Sequence, residues 1–91
     1  MEDQKTDRSP NELLANLDRL HTTELGAGRI RRNLGLTEPD VVGWCREQIQ
    51  APDRVLVRKG KNWYIRTPWC EITVNASSYT IITAHRNESP S

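Results

Sequence analysis

The hydrophobic pattern of the chain changes its period once, near residue 52. Before that point apolar residues recur every three or four positions, the spacing of one face of a helix. The first apolar stripe follows a Ser-Pro-Asn-Glu sequence, which predicts Ser9 as the N-cap, Pro10 as the first helical residue and Glu12 as the partner in a capping box. This stripe consists of Leu13, Leu14, Leu17 and Leu20, and it ends at His21.

Two more helices are predicted before the period changes. One runs from about Thr23 to Leu34 and ends at Gly35, a residue typical of a helix C-terminal cap. Its apolar face carries Ala27, Ile30 and Leu34. The other is predicted to begin at Thr37, to hold Pro39 in its first turn and to end before Pro52. Its buried stripe consists of Val41, Val42, Cys45 and Ile49.

From residue 54 the apolar residues alternate with polar ones, which predicts strands. Four strands are expected at residues 54–58, 62–66, 70–75 and 79–85, with turns at 59–61, 67–69 and 76–78. Loops this short join antiparallel neighbours. The predicted fold class is therefore α+β, with three N-terminal helices packed on one face of a four-stranded antiparallel meander.

Alternation assigns the strand residues to two faces. The helix-facing set is predicted to be Val55, Val57, Trp63, Ile65, Cys70, Ile72, Val74, Ile82 and Ala84. The open set is predicted to be Arg54, Leu56, Arg58, Asn62, Tyr64, Arg66, Glu71, Thr73, Asn75, Tyr79, Ile81, Thr83 and His85. An open antiparallel face is normally polar, so solvation alone explains much of the second set.

Length and composition indicate one small domain, at residues 9–86, between disordered tails at 1–8 and 87–91. Two widely separated cysteines, Cys45 and Cys70, are expected to be buried and reduced, which favours a cytoplasmic protein. No apolar run approaches the ~20 residues of a membrane span, and the polar N-terminus has no signal core.

Positive charge is clustered although the net charge is only +1. Of the 13 basic residues, three lie at Arg29, Arg31 and Arg32, and five lie at Arg54, Arg58, Lys59, Lys61 and Arg66. Such clusters are most often solvated surfaces. They also suit a polyanion, because a local field attracts it whatever the net charge.

No motif for a metal, a nucleotide loop or a covalent nucleophile is present, and we expect no cofactor. RNA cleavage needs none of these. It requires a general base, a general acid and cations that hold the phosphate. Histidine suits both proton roles, and the chain has two, His21 at a helix junction and His85 at the end of the last strand. Whether the two converge is left open by the sequence.

The segments LLANLDRLHTTELGAGRIRRNL, DVVGWC, RKGKNWY and ITVNASSYTIITAH resemble a family of small bacterial proteins catalogued as a domain of unknown function. The resemblance covers about residues 13–85, and it implies no activity.

A looser resemblance concerns the fold. Helices with a His and several Arg residues, followed by a four-stranded meander ending in TIITAH, resemble the barnase, RelE and colicin group of metal-independent ribonucleases, many of which are toxins. This resemblance implies a site made of His21, Arg29, Arg58, Tyr64, Thr83 and His85. The catalytic candidates are His85, His21, Tyr64 and Thr83. The nucleic-acid-binding candidates are Arg29, Arg32, Arg58, Lys59, Lys61 and Arg66.

Three hypotheses remain open. The first is an RNA-directed, ribonuclease-like toxin, with RNA and an antitoxin as partners. The second is a module that binds nucleic acid, or an acidic partner, without catalysis. The third is a protein–protein adaptor in which Trp69 anchors the interface; Trp69 would otherwise fold back onto the core.

Overall fold

The computed structural model describes residues 12–87. The predicted cap at Ser9 and Pro10, the tail at 1–8 and most of the tail at 87–91 lie outside the described residues. Three helices are followed by four strands, which confirms the α+β class. The elements are α1 (12–15), a 3-10 turn (Leu17–Arg19), α2 (Glu24–Leu34), α3 (Val41–Ile49), β1 (Val55–Lys59), β2 (Asn62–Arg66), β3 (Cys70–Asn75) and β4 (Ile81–Arg86).

Helix α2 begins and ends as its sequence predicts. The Thr23 hydroxyl accepts a hydrogen bond from the Gly26 N–H at 3.0 Å, which satisfies a donor of the first turn. Gly35 adopts a left-handed φ of 66°, and the Leu36 N–H donates to the Arg31 carbonyl at 3.0 Å. This is the Gly-terminated helix end expected from the sequence.

The predicted start of α3 at Thr37 is wrong. The helix begins at Val41, and the Asp40 carboxylate caps it by accepting from the Gly43 N–H at 2.9 Å. Pro39 precedes this cap, where its carbonyl is 3.4 Å from the Arg31 guanidinium. An Asp at the N-cap satisfies a free N–H and also suits the positive end of the helix dipole, so it sets the start.

The strands form one antiparallel sheet in the order β1-β2-β3-β4, which confirms the meander. The second and third strands have the predicted bounds. The first strand is shifted by one residue, and the last begins at Ile81 because Tyr79 has a φ of 65° that no strand accommodates.

One hydrophobic cluster joins buried residues of the helices with alternate residues of the sheet. From the helical part of the chain it includes Leu13, Ile30, Leu34, Val41, Cys45 and Ile49. The sheet contributes Trp63, Ile65, Cys70, Ile72, Val74, Ile81 and Ala84. We call the strand side that carries these residues the inner face.

The predicted assignment of β1 to its faces is wrong. Lys59 pairs with Asn62, so the turn contains only Gly60 and Lys61, with Gly60 at a φ of 61°. Consequently Val55 and Val57 are 56% and 47% exposed, while Leu56 packs against the core. Three consecutive apolar residues fit either face, and a one-residue shift in register exchanges the faces.

A bulge in β4 overturns two more assignments. Thr73 pairs with Thr83 whereas Val74 pairs with Ile81, so Ile82 is an extra residue opposite the junction. Ile81 is therefore buried, and Ile82 is 42% exposed, the reverse of the prediction. Tyr79, predicted on the open face, is buried with its ring 5.2 Å from that of Trp63.

None of the helices within residues 12–87 combines the length and apolar character needed to cross a bilayer.

Candidate nucleic-acid interface on the outer face of the sheet

Directly paired residues of an antiparallel sheet point to the same side. The side opposite the inner face, which we call the outer face, therefore consists of three cross-strand rows. The first row is Val55, Arg66, Glu71 and His85; the second is Val57, Tyr64, Thr73 and Thr83; the third is Lys59, Asn62 and Asn75. All of these side chains are exposed or half-buried.

The first row holds three polar side chains side by side. The Arg66 guanidinium lies 3.5 Å from a Glu71 carboxylate oxygen, and their side chains are 65% and 26% exposed. His85 pairs with Glu71 from the other side, and its Nδ1 is 3.2 Å from the Arg86 carbonyl. The row thus brings a cation, a carboxylate and an imidazole within one cross-strand line.

The second row places an aromatic ring at the centre of the face. Tyr64 lies on the inner strand β2 between Val57 and Thr73. Its hydroxyl oxygen accepts a hydrogen bond from Asn62 Nδ2 at 3.3 Å, which orients the ring along the strand. A half-exposed ring held in this way offers a surface for a flat ligand.

Trp69 lies in the turn between β2 and β3, just beyond the middle of the first row, and is 71% exposed. It does not fold back onto the core. Its backbone is fixed on both sides, because its N–H donates to the Thr67 hydroxyl at 3.1 Å and its carbonyl accepts from the Asn87 N–H at 3.0 Å. Thr67 itself is buried. The turn therefore presents Trp69 from a rigid base.

His21 lies elsewhere. It bridges to Thr80, just before β4, while His85 lies near the opposite end of that strand. Five residues of extended chain separate the two positions by about 15 Å. The Nδ1 of His21 donates to the Arg19 carbonyl at 2.9 Å, and its Nε2 is 3.0 Å from the Thr80 hydroxyl. His21 and His85 do not converge, and both ring nitrogens of His21 have structural partners.

The basic candidates divide among three places. Lys59 and Arg66 lie on the outer face. Arg58 lies on the inner side of β1, opposite Trp63, with its guanidinium 5.7 Å from the indole centre; its predicted place on the open face is wrong. Arg58 and Lys61 line a shallow cavity of about 640 Å³ together with Glu12, Asn75 and Ser77. Arg29 and Arg32 are exposed on α2, outside the rows.

Sequence reasoning missed Glu71 and Thr73 as site residues. Glu71 is the one acid between residues 54 and 85, and this isolation is a signal that the sequence does carry. Its pairing with both Arg66 and His85 depends on register, which the alternating pattern leaves undetermined.

The described part of the chain contains no group of three or more His, Cys, Asp and Glu side chains that could hold a metal ion.

Both cysteines are buried and free, as the sequence predicts. Burial, with a smaller contribution from Cys70, raises the pKa of the Cys45 thiol to about 12. Burial also raises the pKa of Cys70, although a hydrogen bond with Thr67 acts in the opposite direction.

Comparison with known proteins gives a family match. The model of a family described as a protein of unknown function, DUF3781, matches residues 14–85, which confirms the resemblance seen in the sequence. No curated protein and no solved structure matches the chain, so the resemblance to ribonucleases has no support from these comparisons. Because the family model spans most of its length, the chain belongs to the DUF3781 family of proteins of unknown function.

Proposed function

We propose that the protein binds single-stranded RNA on the outer face of its sheet, with the three helices packed on the inner face. The observation that carries the proposal is the position of Tyr64, Arg66, Thr83 and His85 in two adjacent rows of this face. The buried, free cysteines suit a reducing compartment, so we place this activity in the cytoplasm.

The aromatic side chains would supply the contacts to bases. Unpaired bases stack on exposed aromatic rings, and each stack contributes about 1–3 kcal/mol. Tyr64 is held at the centre of the face by Asn62, and the backbone of Trp69 is held in the turn just beyond the middle of the first row. The oriented ring of Tyr64 and the fixed backbone of Trp69 reduce the conformational entropy that is lost when a base stacks.

Arg66 and Lys59 would contact the phosphates on either side of the Tyr64 row. Guanidinium groups pair well with phosphate oxygens. In the free protein Arg66 is paired with Glu71, so RNA has to displace a carboxylate that also repels it. Binding should therefore be moderate in strength and should improve when Glu71 loses its charge.

A binding measurement with matched variants tests this proposal. The probe is a fluorescent oligouridine of about eight nucleotides. We expect Tyr64→Leu to weaken binding about ten-fold through the loss of one stack, and Arg66→Gln to weaken it and flatten its salt dependence. Arg32→Gln removes the same charge from α2 and is the control. Wild-type affinity in Tyr64→Leu, or an equal loss in Arg32→Gln, would contradict the proposal, provided that thermal melts show folded variants.

A second candidate function, RNA cleavage, is favoured by the pairing of Glu71 with His85. Opposed side chains in an antiparallel sheet have Cβ atoms about 5 Å apart, so both groups can reach one phosphate. Glu71 would accept the proton of the 2′-hydroxyl while the 2′-oxygen attacks phosphorus. His85 would protonate the departing 5′-oxygen, and Arg66 would stabilise the charge on the phosphate.

The test of cleavage separates it from binding. Purified protein is incubated with single-stranded RNA in EDTA beside His85→Ala and Glu71→Gln. If the protein is a ribonuclease, both variants lose cleavage although Glu71→Gln binds RNA more tightly than the wild type. Equal cleavage by all three proteins would remove this pair as the catalytic site, and no cleavage by any would leave binding as the function.

A further inference from the structure

The two edge strands of the sheet, β1 and β4, differ in their hydrogen bonds to the rest of the chain. On the β4 edge, the Ile81 N–H donates to the His21 carbonyl at 2.8 Å and the Ile81 carbonyl accepts from the Thr22 hydroxyl at 3.0 Å. Further along, the Ala84 carbonyl accepts from Asn33 Nδ2 at 3.3 Å. Side chains and backbone from the helical part of the chain therefore occupy the β4 edge.

Within residues 12–87, the β1 edge pairs with β2 on one side only, since β1 ends the strand order. Alternate residues of an edge strand direct their N–H and C=O groups outward, and such a row is a template for another strand. β1 is five residues long, and four of its side chains are exposed, including Val55 and Val57. An extended peptide can add to an edge of this kind through main-chain hydrogen bonds.

Charge indicates what kind of strand fits. Residues 54–61 contain four cations and no acid: Arg54, Arg58, Lys59 and Lys61. The apolar side chains Val55 and Val57 lie on the outer face, and Arg58 lies on the inner side. A fifth strand beside β1 would thus meet apolar groups on one face and a guanidinium on the other.

Self-association through β1 is disfavoured in the register centred on Leu56. An antiparallel pair of two β1 strands centred on Leu56 places Arg54 of one copy opposite Arg58 of the other, and like charges directly opposite are destabilising. Basic side chains on an edge strand are a common protection against such pairing. The same charges attract an acidic strand.

We propose that β1 is a docking edge for an extended acidic segment of another protein, in which apolar and acidic residues alternate. The apolar residues would lie beside Val55 and Val57, and the acidic ones beside Arg58. The main-chain groups of the β1 edge carry this proposal, and although Val55 and Val57 also belong to the outer face, it does not require that RNA binds there.

A synthetic peptide of about eight residues, alternating Val and Glu and blocked at both ends, tests the edge. Its control is the same peptide with N-methyl groups at alternate residues, which keeps charge and side chains but removes main-chain donors. We expect the unmodified peptide to shift and protect the β1 amides in NMR and hydrogen exchange. The N-methylated peptide and the Arg58→Glu protein should each lower the affinity at least ten-fold, whereas Arg32→Glu on α2 should not.

Several results would overturn the proposal. These are no binding at roughly 1 mM peptide, the limit of very weak recognition; equal binding of the N-methylated peptide; and equal loss in Arg58→Glu and Arg32→Glu. The same holds if oligouridine protects the β1 amides as the peptide does, because the edge would then bind any polyanion. A dimer paired through β1 in solution would also overturn it.

Discussion

Glu71, between Arg66 and His85, is the residue that most changes the interpretation of the site. The sequence suggests two histidines as a catalytic pair, but the fold separates them and pairs one with a carboxylate instead. His85 stays exposed beside polar neighbours, whereas His21 joins the start of the domain to the segment before β4. At the scale of single residues, His85 has the surroundings of a functional group and His21 those of a structural one.

This difference predicts separate effects of two substitutions. His21→Ala removes hydrogen bonds to the Arg19 carbonyl and the Thr80 hydroxyl, each with a net contribution of about 1 kcal/mol. We expect a lower free energy of unfolding and unchanged RNA affinity per folded molecule. His85→Ala should leave stability nearly unchanged. Denaturant unfolding and RNA binding on both variants check this, and weaker RNA binding by a folded His21→Ala protein would contradict it.

The Cys45 thiol predicts how stability depends on alkaline pH. Below about pH 9 the thiol holds its proton in both states, so it adds no pH dependence. Above that, the unfolded chain loses the proton while the folded protein keeps it until about pH 12. The free energy of unfolding should then fall by about 1.4 kcal/mol per pH unit from this group. Urea unfolding at pH 8–11 should show that the free energy of unfolding falls less steeply with pH in Cys45→Ala than in the wild type. Equal slopes in the two proteins would contradict the raised pKa of Cys45.

At the scale of elements, the sequence predicts the helix and strand ends that depend on local residue pattern. It does not predict the strand faces that depend on pairing with a neighbouring strand. The ends of α2, β2 and β3 follow from Thr23, Gly35 and regular alternation. The face of β1 depends on the length of its turn, because Val55, Leu56 and Val57 are all apolar. The bulge at Ile82 is also not predictable from the sequence, since Ile81 and Ile82 are interchangeable in a hydrophobic pattern. The outer face was therefore predicted correctly in β2, in β3 and at Thr83 and His85 of β4, and it was misassigned in β1 and at residues 79–82.

The corrected start of α3 makes a direct prediction. Asp40→Ala removes the carboxylate that caps the helix and should lower stability by about 1 kcal/mol. Thr37→Ala, at the start that the sequence suggested, should change it by less than about 0.5 kcal/mol because Thr37 is exposed and precedes the helix. Thermal or urea unfolding compares them. A larger loss of stability in Thr37→Ala than in Asp40→Ala would contradict the assignment of Asp40 as the N-cap.

In the molecule as a whole, as far as residues 12–87 show, the sheet has one buried face, one face that no element covers and one edge without a neighbouring strand. The outer face groups an oriented tyrosine, a cation and an imidazole, with an exposed tryptophan at its end. The β1 edge adds a basic strand with exposed valines. These two surfaces are adjacent, so a protein segment docked on β1 would border RNA bound on the face. Membership of a family without known activity leaves the chemistry of these surfaces as the guide to function.

Mapping the amide shifts in the nitrogen-15 NMR spectrum during titration with oligouridine shows directly whether single-stranded RNA binds the outer face. We expect the largest shifts on residues 64–66, 71–73 and 83–85 and at Lys59 and Trp69, with α2 unaffected. Shifts concentrated on α2 around Arg29 and Arg32, or no shifts at saturating RNA, would contradict it.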